Sequence, residues 1–125
     1  MKLLAILGIA SLAAALAPPP VCEQCRPLPN ENKCDITTSC VYVWGHKGST
    51  PAPYYCACRA GYRATGYGAD DWTKQWRLPW YGGNGDPSQE GRVFVKPGVK
   101  CDTLCDSWWL GAKGCQEVTL KDSCL

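Results

Sequence analysis

The sequence predicts a small, disulfide-rich, mostly β domain with a short C-terminal helix. Three observations carry that expectation. Ten cysteines stand in a chain of 125 residues, an even number that allows five bridges. Two segments, 41–44 and 54–58, are β-branched and aromatic and are separated by a Gly/Pro-rich loop. The chain is poor in Phe, Met and Ile, with one Phe and one Met against six Trp and six Tyr, so its apolar mass is Cys, Val, Leu and aromatics, a pattern of staples plus aromatic wedges.

The chain opens MKLLAILGIASLAAALA. Lys2, an apolar run and small residues at Ala13, Ala15 and Ala17 match the n-region, h-region and exit of a secretory signal peptide. Cleavage is expected after Ala15 or Ala17. The run is shorter than the roughly 20 apolar residues of a membrane span, and no second such run follows. With residues 1–17 set aside, 18–125 forms a single domain of 108 residues, more than about 8% of them cysteine, the range of a disulfide scaffold. Export places those cysteines in an oxidising compartment, where thiols pair. The protein is therefore expected to be secreted, extracellular and monomeric. Thirteen basic and eleven acidic residues nearly balance, which argues against nucleic acid as a partner.

Residues 18–33 hold five prolines and read as an extended lead-in pinned by Cys22 and Cys25. Cys22 and Cys25 have the C-x2-C spacing of a zinc knuckle, but no second pair completes four ligands and His46 is the single histidine. Disulfides are expected instead, with no metal and no cofactor. Strands 41–44 and 54–58 form an antiparallel hairpin with its loop at 45–53. Alternation puts Tyr54, Cys56 and Cys58 on one face of the second strand and Tyr55 and Ala57 on the other. Neighbours at i and i+2 would close a strained ring, so Cys56 and Cys58 must reach two different segments.

Residues 63–100 form an aromatic insertion with no cysteine between Cys58 and Cys101. A helical turn near Asp70-Asp71, stopping by Pro79, would put Trp72 and Trp76 on one face. Residues 92–96 read as a strand turned by Pro97-Gly98. Residues 102–111 read as the C-terminal helix, capped by Asp102 and stopped at Gly111. It would dock through Cys101, Cys105, Trp108 and Trp109. The tail, with Cys115 and Cys124, follows to residue 125.

The run Cys56-Ala57-Cys58-Arg59-Ala60-Gly61-Tyr62 resembles the C-x-C-x-x-G-[YF] signature of epidermal-growth-factor-like (EGF-like) modules. The resemblance covers residues 22–62 and implies an EGF-like hairpin core. It implies pairing of Cys25 (or Cys22) with Cys40, Cys34 with Cys56, and Cys58 with Cys101. The other of Cys22 and Cys25, together with Cys105, Cys115 and Cys124, falls to an added C-terminal section. The calcium-binding lead-in of some such modules is only faintly similar to residues 30–34, where Lys33 stands in place of an acid. Over the whole chain, GRVFVKPGVKCDTLCD is similar to fungal small secreted cysteine-rich proteins.

Catalysis is not expected. His46 sits in a Gly/Ser/Pro loop, and no cysteine is left as a nucleophile if all ten pair. Asp70 and Asp71 are adjacent, a poor placement for two carboxylates that must flank a bond. Binding is the better expectation. Most rings should form core, with Trp72, Trp76, Trp80 and Tyr81 the candidates for a contact surface and His46 in the hairpin loop a second one. The leading function is a secreted extracellular interaction module, an effector or cell-surface ligand, with an extracellular protein as partner. The alternatives are a carbohydrate-binding protein for cell-wall polysaccharide and an inhibitor or toxin-like protein.

Overall fold

The computed structural model describes residues 22–43, 53–79 and 89–121. The segment at 1–17, His46, Trp80, Tyr81 and Cys124 lie outside the described residues. The strands are β1 (Thr38–Tyr42), β2 (Tyr54–Cys58), β3 (Tyr62–Arg63), β4 (Gln75–Trp76), β5 (Phe94–Val95) and β6 (Thr103–Leu104). A 3-10 helix follows at Trp108–Gly114.

The hairpin forms as its composition dictates. β1 and β2 pair antiparallel with Cys40 opposite Cys56, although β1 begins earlier than the expected strand. β5 adds to the other edge of β2, and β4 completes a sheet ordered β1-β2-β5-β4. β3 and β6 make a separate two-stranded sheet.

The period-two alternation of β2 divides the interior. Cys56 and Cys58 join Val93, Val95, Cys101 and Cys105 in one buried cluster, with Tyr54 against it. Tyr55 and Ala57 join Val43, Trp76, Leu78 and Phe94 in the other. One face of the sheet is thus sulfur and valine, and the other is aromatic. In the aromatic cluster the Tyr55 ring meets both Trp76 and Phe94 edge-on at 5.8 Å between centroids.

Four disulfides connect Cys25 to Cys40, Cys34 to Cys56, Cys58 to Cys101, and Cys105 to Cys115. Cys22 is disulfide-bonded as well. Neighbouring Cys56 and Cys58 do fasten two separate segments. The first three pairs are those the EGF-like resemblance implies, with Cys25 rather than Cys22 bonded to Cys40.

Two expected helices are corrected. Near Asp70-Asp71 the chain makes turns only. Asp71 Oδ1 accepts from Thr73 N at 3.2 Å, closing a local turn rather than starting a helix. Gln75 and Trp76 are then taken up by pairing with β5. Gln75 anchors this change of direction: its Oε1 accepts from Ala64 N at 3.0 Å and its Nε2 donates to Gly68 O at 2.9 Å. Trp76 therefore faces inward while Trp72 faces out. In the C-terminal section, Thr103 and Leu104 pair with β3 instead of opening a helix. The helix starts later and has the 3-10 form. It is kinked at Gly111, whose φ of 71° breaks its regularity.

Residues 115–121 are held by Arg77. Its guanidinium donates to Val118 O at 2.9 Å and Gln116 O at 3.3 Å, and its backbone N donates to Thr119 O at 2.8 Å. Burial pulls the Arg77 pKa below its usual value, opposed by nearby Glu117.

Phe94 is completely buried in the aromatic cluster, so Phe94→Ala is expected to lower unfolding free energy by about 3–5 kcal/mol in guanidinium titrations. Burial also pushes the Tyr55 hydroxyl from 10.0 up to about 12. Because the folded pKa is raised, the stabilisation is complete below pH 10 and is lost as pH rises through about 12. Ultraviolet titration should show a late tyrosine ionisation, and Tyr55→Phe should remove that step.

Candidate interaction surface

Cys105 and Cys115 close a short loop, ten residues apart in sequence. Inside it the sequence runs Trp108-Trp109-Leu110, three large apolar side chains in succession. No regular backbone turns three consecutive side chains to one interior. The loop is also shut by its own hydrogen bonds. Ser107 N donates to Gly114 O at 3.2 Å, Trp108 N to Cys105 O at 3.2 Å, and Leu110 N to Ser107 O at 2.9 Å. Trp108, Trp109 and Leu110 are consequently 51%, 65% and 57% exposed. The two indoles stand edge to face, 6.0 Å between centroids at 84°.

The base of this ridge is stiff for local reasons. A Cβ on Gly114 would collide with Ser107 O, so only glycine allows the loop to close on itself. On the body, Gly61 O accepts from Cys105 N at 2.8 Å. Gly61 has φ of 88°, and a Cβ there would meet Trp108 O at 3.0 Å. The glycine before Tyr62 thus serves two purposes: it makes the turn and it seats the Trp108 loop. Glu117 ties the flank, accepting from Asp106 N at 3.0 Å and lying 3.1 Å from Arg63 Nε in an ion pair.

Beside the ridge, half-exposed Leu104 sits opposite Tyr62 in the β3–β6 pair. The Arg59 guanidinium covers the Tyr62 ring at 3.9 Å and donates to Asp102 Oδ1 at 3.0 Å. The apolar ridge is therefore bordered by side chains already engaged with one another.

The expected contact residues fare differently. Trp76 is fully buried and is no contact residue; its ring is the centre of the aromatic cluster. Trp72 is 46% exposed, yet Lys121 Nζ lies over its face at 4.4 Å. Trp80, Tyr81 and His46 lie outside the described residues. Trp108 and Trp109, expected to dock inward on a helix face, point outward instead.

A cleft of about 280 Å³ lies between Arg77, Leu78, Glu90, Lys113 and Leu120. Its charges are spoken for, since Arg77 serves backbone carbonyls and Lys113 Nζ lies 3.8 Å from Glu90. Three sulfurs, of Cys25, Cys34 and Cys56, lie within 4.8 Å of one another, but all belong to disulfides and none is free to hold a metal. No family model, no curated protein and no solved structure matches this chain.

Gly61 and Gly66 share nearly the same φ, 88° and 89°, but a Cβ on Gly66 would meet nothing within 4 Å. Both alanine variants should carry the left-handed cost of about 1–2 kcal/mol. Gly61→Ala should be clearly the less stable in chemical denaturation, and it alone should alter tryptophan emission by unseating Trp108. Equal losses would show that the glycine's role is conformational only.

Proposed function

We propose that this protein is a secreted, disulfide-stabilised extracellular interaction module. In this reading it is an effector or cell-surface ligand that binds a protein partner through Trp108, Trp109 and Leu110. The observation that carries the reading is the exposure of two adjacent tryptophans and a leucine on a loop closed by the Cys105–Cys115 bridge. Binding energy at protein interfaces concentrates in a few such side chains, with tryptophan prominent among them. A loop already held in one shape loses little conformational entropy on binding. Contiguous exposed apolar surface on a small monomer marks an interaction site.

The polysaccharide alternative is less favoured by the geometry. A sugar chain stacks on ring faces lying side by side, whereas Trp108 and Trp109 are nearly perpendicular. Trp72 offers a face already covered by Lys121. Secretion rests on the signal-peptide pattern of residues 1–17, and the EGF-like core on the hairpin register and the C-x-C-x-x-G-Y run. A complete set of five bridges follows from the arithmetic of ten cysteines. Four pairs and Cys22 leave Cys124 as the remaining partner in the chain, which peptide mapping would show as a Cys22–Cys124 link.

The functional test compares labelled wild type with Trp108→Ala and Trp109→Ala on intact and protease-treated cell surfaces, and on insoluble chitin and glucan. Saturable binding that is abolished by protease treatment is expected. Each substitution should weaken it at least tenfold, about 1.4 kcal/mol or more, with little change in stability. Binding that survives both substitutions, or sedimentation with polysaccharide that needs the tryptophans, would overturn the protein-partner reading.

A further inference from the structure

Two disulfides of the hairpin lie against each other, and we propose that they exchange partners under thiol catalysis. The Cys25–Cys40 and Cys34–Cys56 pairs would convert to Cys25–Cys34 and Cys40–Cys56. The first observation is proximity: Cys25 Sγ is within 4.8 Å of both sulfurs of the Cys34–Cys56 bridge. That is about one ångström beyond contact for two sulfur atoms, close enough for a freed Cys25 thiolate to attack.

The second observation is register. Val43 N donates to Pro53 O, and Cys58 N donates to Val93 O on the far side of β2. The β1–β2 pairs 43/53, 41/55 and 39/57 are therefore the hydrogen-bonded ones, and Cys40 stands opposite Cys56 at a non-hydrogen-bonded position. Such positions bring Cα atoms to about 4.5 Å, inside the range a disulfide spans. The sheet thus sets the backbones of Cys40 and Cys56 at a separation that a disulfide can span.

The third observation is the segment that must move. Residues 26–31 are exposed and hold no strand. Lys33, just before Cys34, has φ of 60° and is the one non-glycine residue with positive φ among the described residues. Asn32 Oδ1 accepts from Cys34 N at 2.8 Å across this residue, so the segment leading into the Cys34–Cys56 bridge is a tight turn in a conformation that a lysine disfavours.

The chemistry balances without an oxidant. A low-molecular-weight thiolate attacks Cys40 Sγ, which is only half-buried, and expels the Cys25 thiolate. Cys25 attacks Cys34 Sγ and expels Cys56. Cys56 attacks the mixed disulfide on Cys40 and releases the original thiolate. Two disulfides are present before and after, and the mass is unchanged. The 25–34 segment ends closed on itself, joined to the sheet by the hydrogen bond from Cys25 N to Tyr54 O and no longer by a disulfide.

The experiment incubates oxidised protein with substoichiometric reduced glutathione at neutral pH, quenches with acid and maps the bridges. A mass-neutral isomer with Cys25–Cys34 and Cys40–Cys56 should appear while Cys58–Cys101 and Cys105–Cys115 persist. Lys33→Gly, which relieves the left-handed conformation of the starting pairing, should lower the share of that isomer several-fold. Recovery of the starting pairs alone, or scrambling that draws in Cys58, Cys101, Cys105 and Cys115 equally, would overturn the proposal.

Discussion

Everything in this fold hangs on one strand. β2 places Cys56 and Cys58 on one face and Tyr55 and Ala57 on the other, and each face organises a cluster. The sulfur face reaches back to Cys34 and forward to Cys101, spanning 22 and 43 residues of chain. Chain-entropy arguments give bridges over such spans roughly 3–4 kcal/mol each. The aromatic face gathers Trp76 and Phe94 from the insertion, which carries no cysteine of its own. One five-residue strand therefore fixes segments that no local preference would bring together.

That dependence explains what was legible in the sequence. The hairpin follows from period-two composition, and the two faces of β2 follow from alternation alone. The separate partners of Cys56 and Cys58 follow from ring strain. The other strands are two residues long, and a single strand-favouring residue in each, Trp76 or Thr103, is too little for a period-two pattern to declare itself. Each is extended because an edge is waiting, β5 for the first and β3 for the second. Local helix signals, an Asp cap in both places, lost to those distant edges. The Asp71 side chain does accept from the backbone two residues on, but it closes a single turn and caps no helix.

The same helix signal hides the ridge in the sequence. A helix over 102–111 turns Trp108 and Trp109 toward Cys101 and Cys105; a strand at 103–104 ends that geometry. A signal was nevertheless present. Three consecutive large apolar residues between two nearby cysteines cannot all be covered by a loop that short. A bridge between Cys105 and Cys115 makes the loop too small to cover three large side chains: Ala112 is buried, while Trp108, Trp109 and Leu110 face outward.

The ridge and the paired hairpin bridges sit at opposite ends of the bonding scheme. Trp108–Leu110 depends on Cys105–Cys115, on the seat at Gly61 and on the β3–β6 pair, none of which uses Cys25, Cys34 or Cys40. Cys58–Cys101 stands between them and ties β2 to the start of the C-terminal section. An exchange confined to the first two bridges would cut the disulfide links of the 25–34 segment to β1 and β2 and leave the bridge, the glycine and the strand pair that seat the ridge intact. The order of the cysteines along the chain thus separates a rearrangeable N-terminal end from a fixed apolar surface, with β2 as the shared wall.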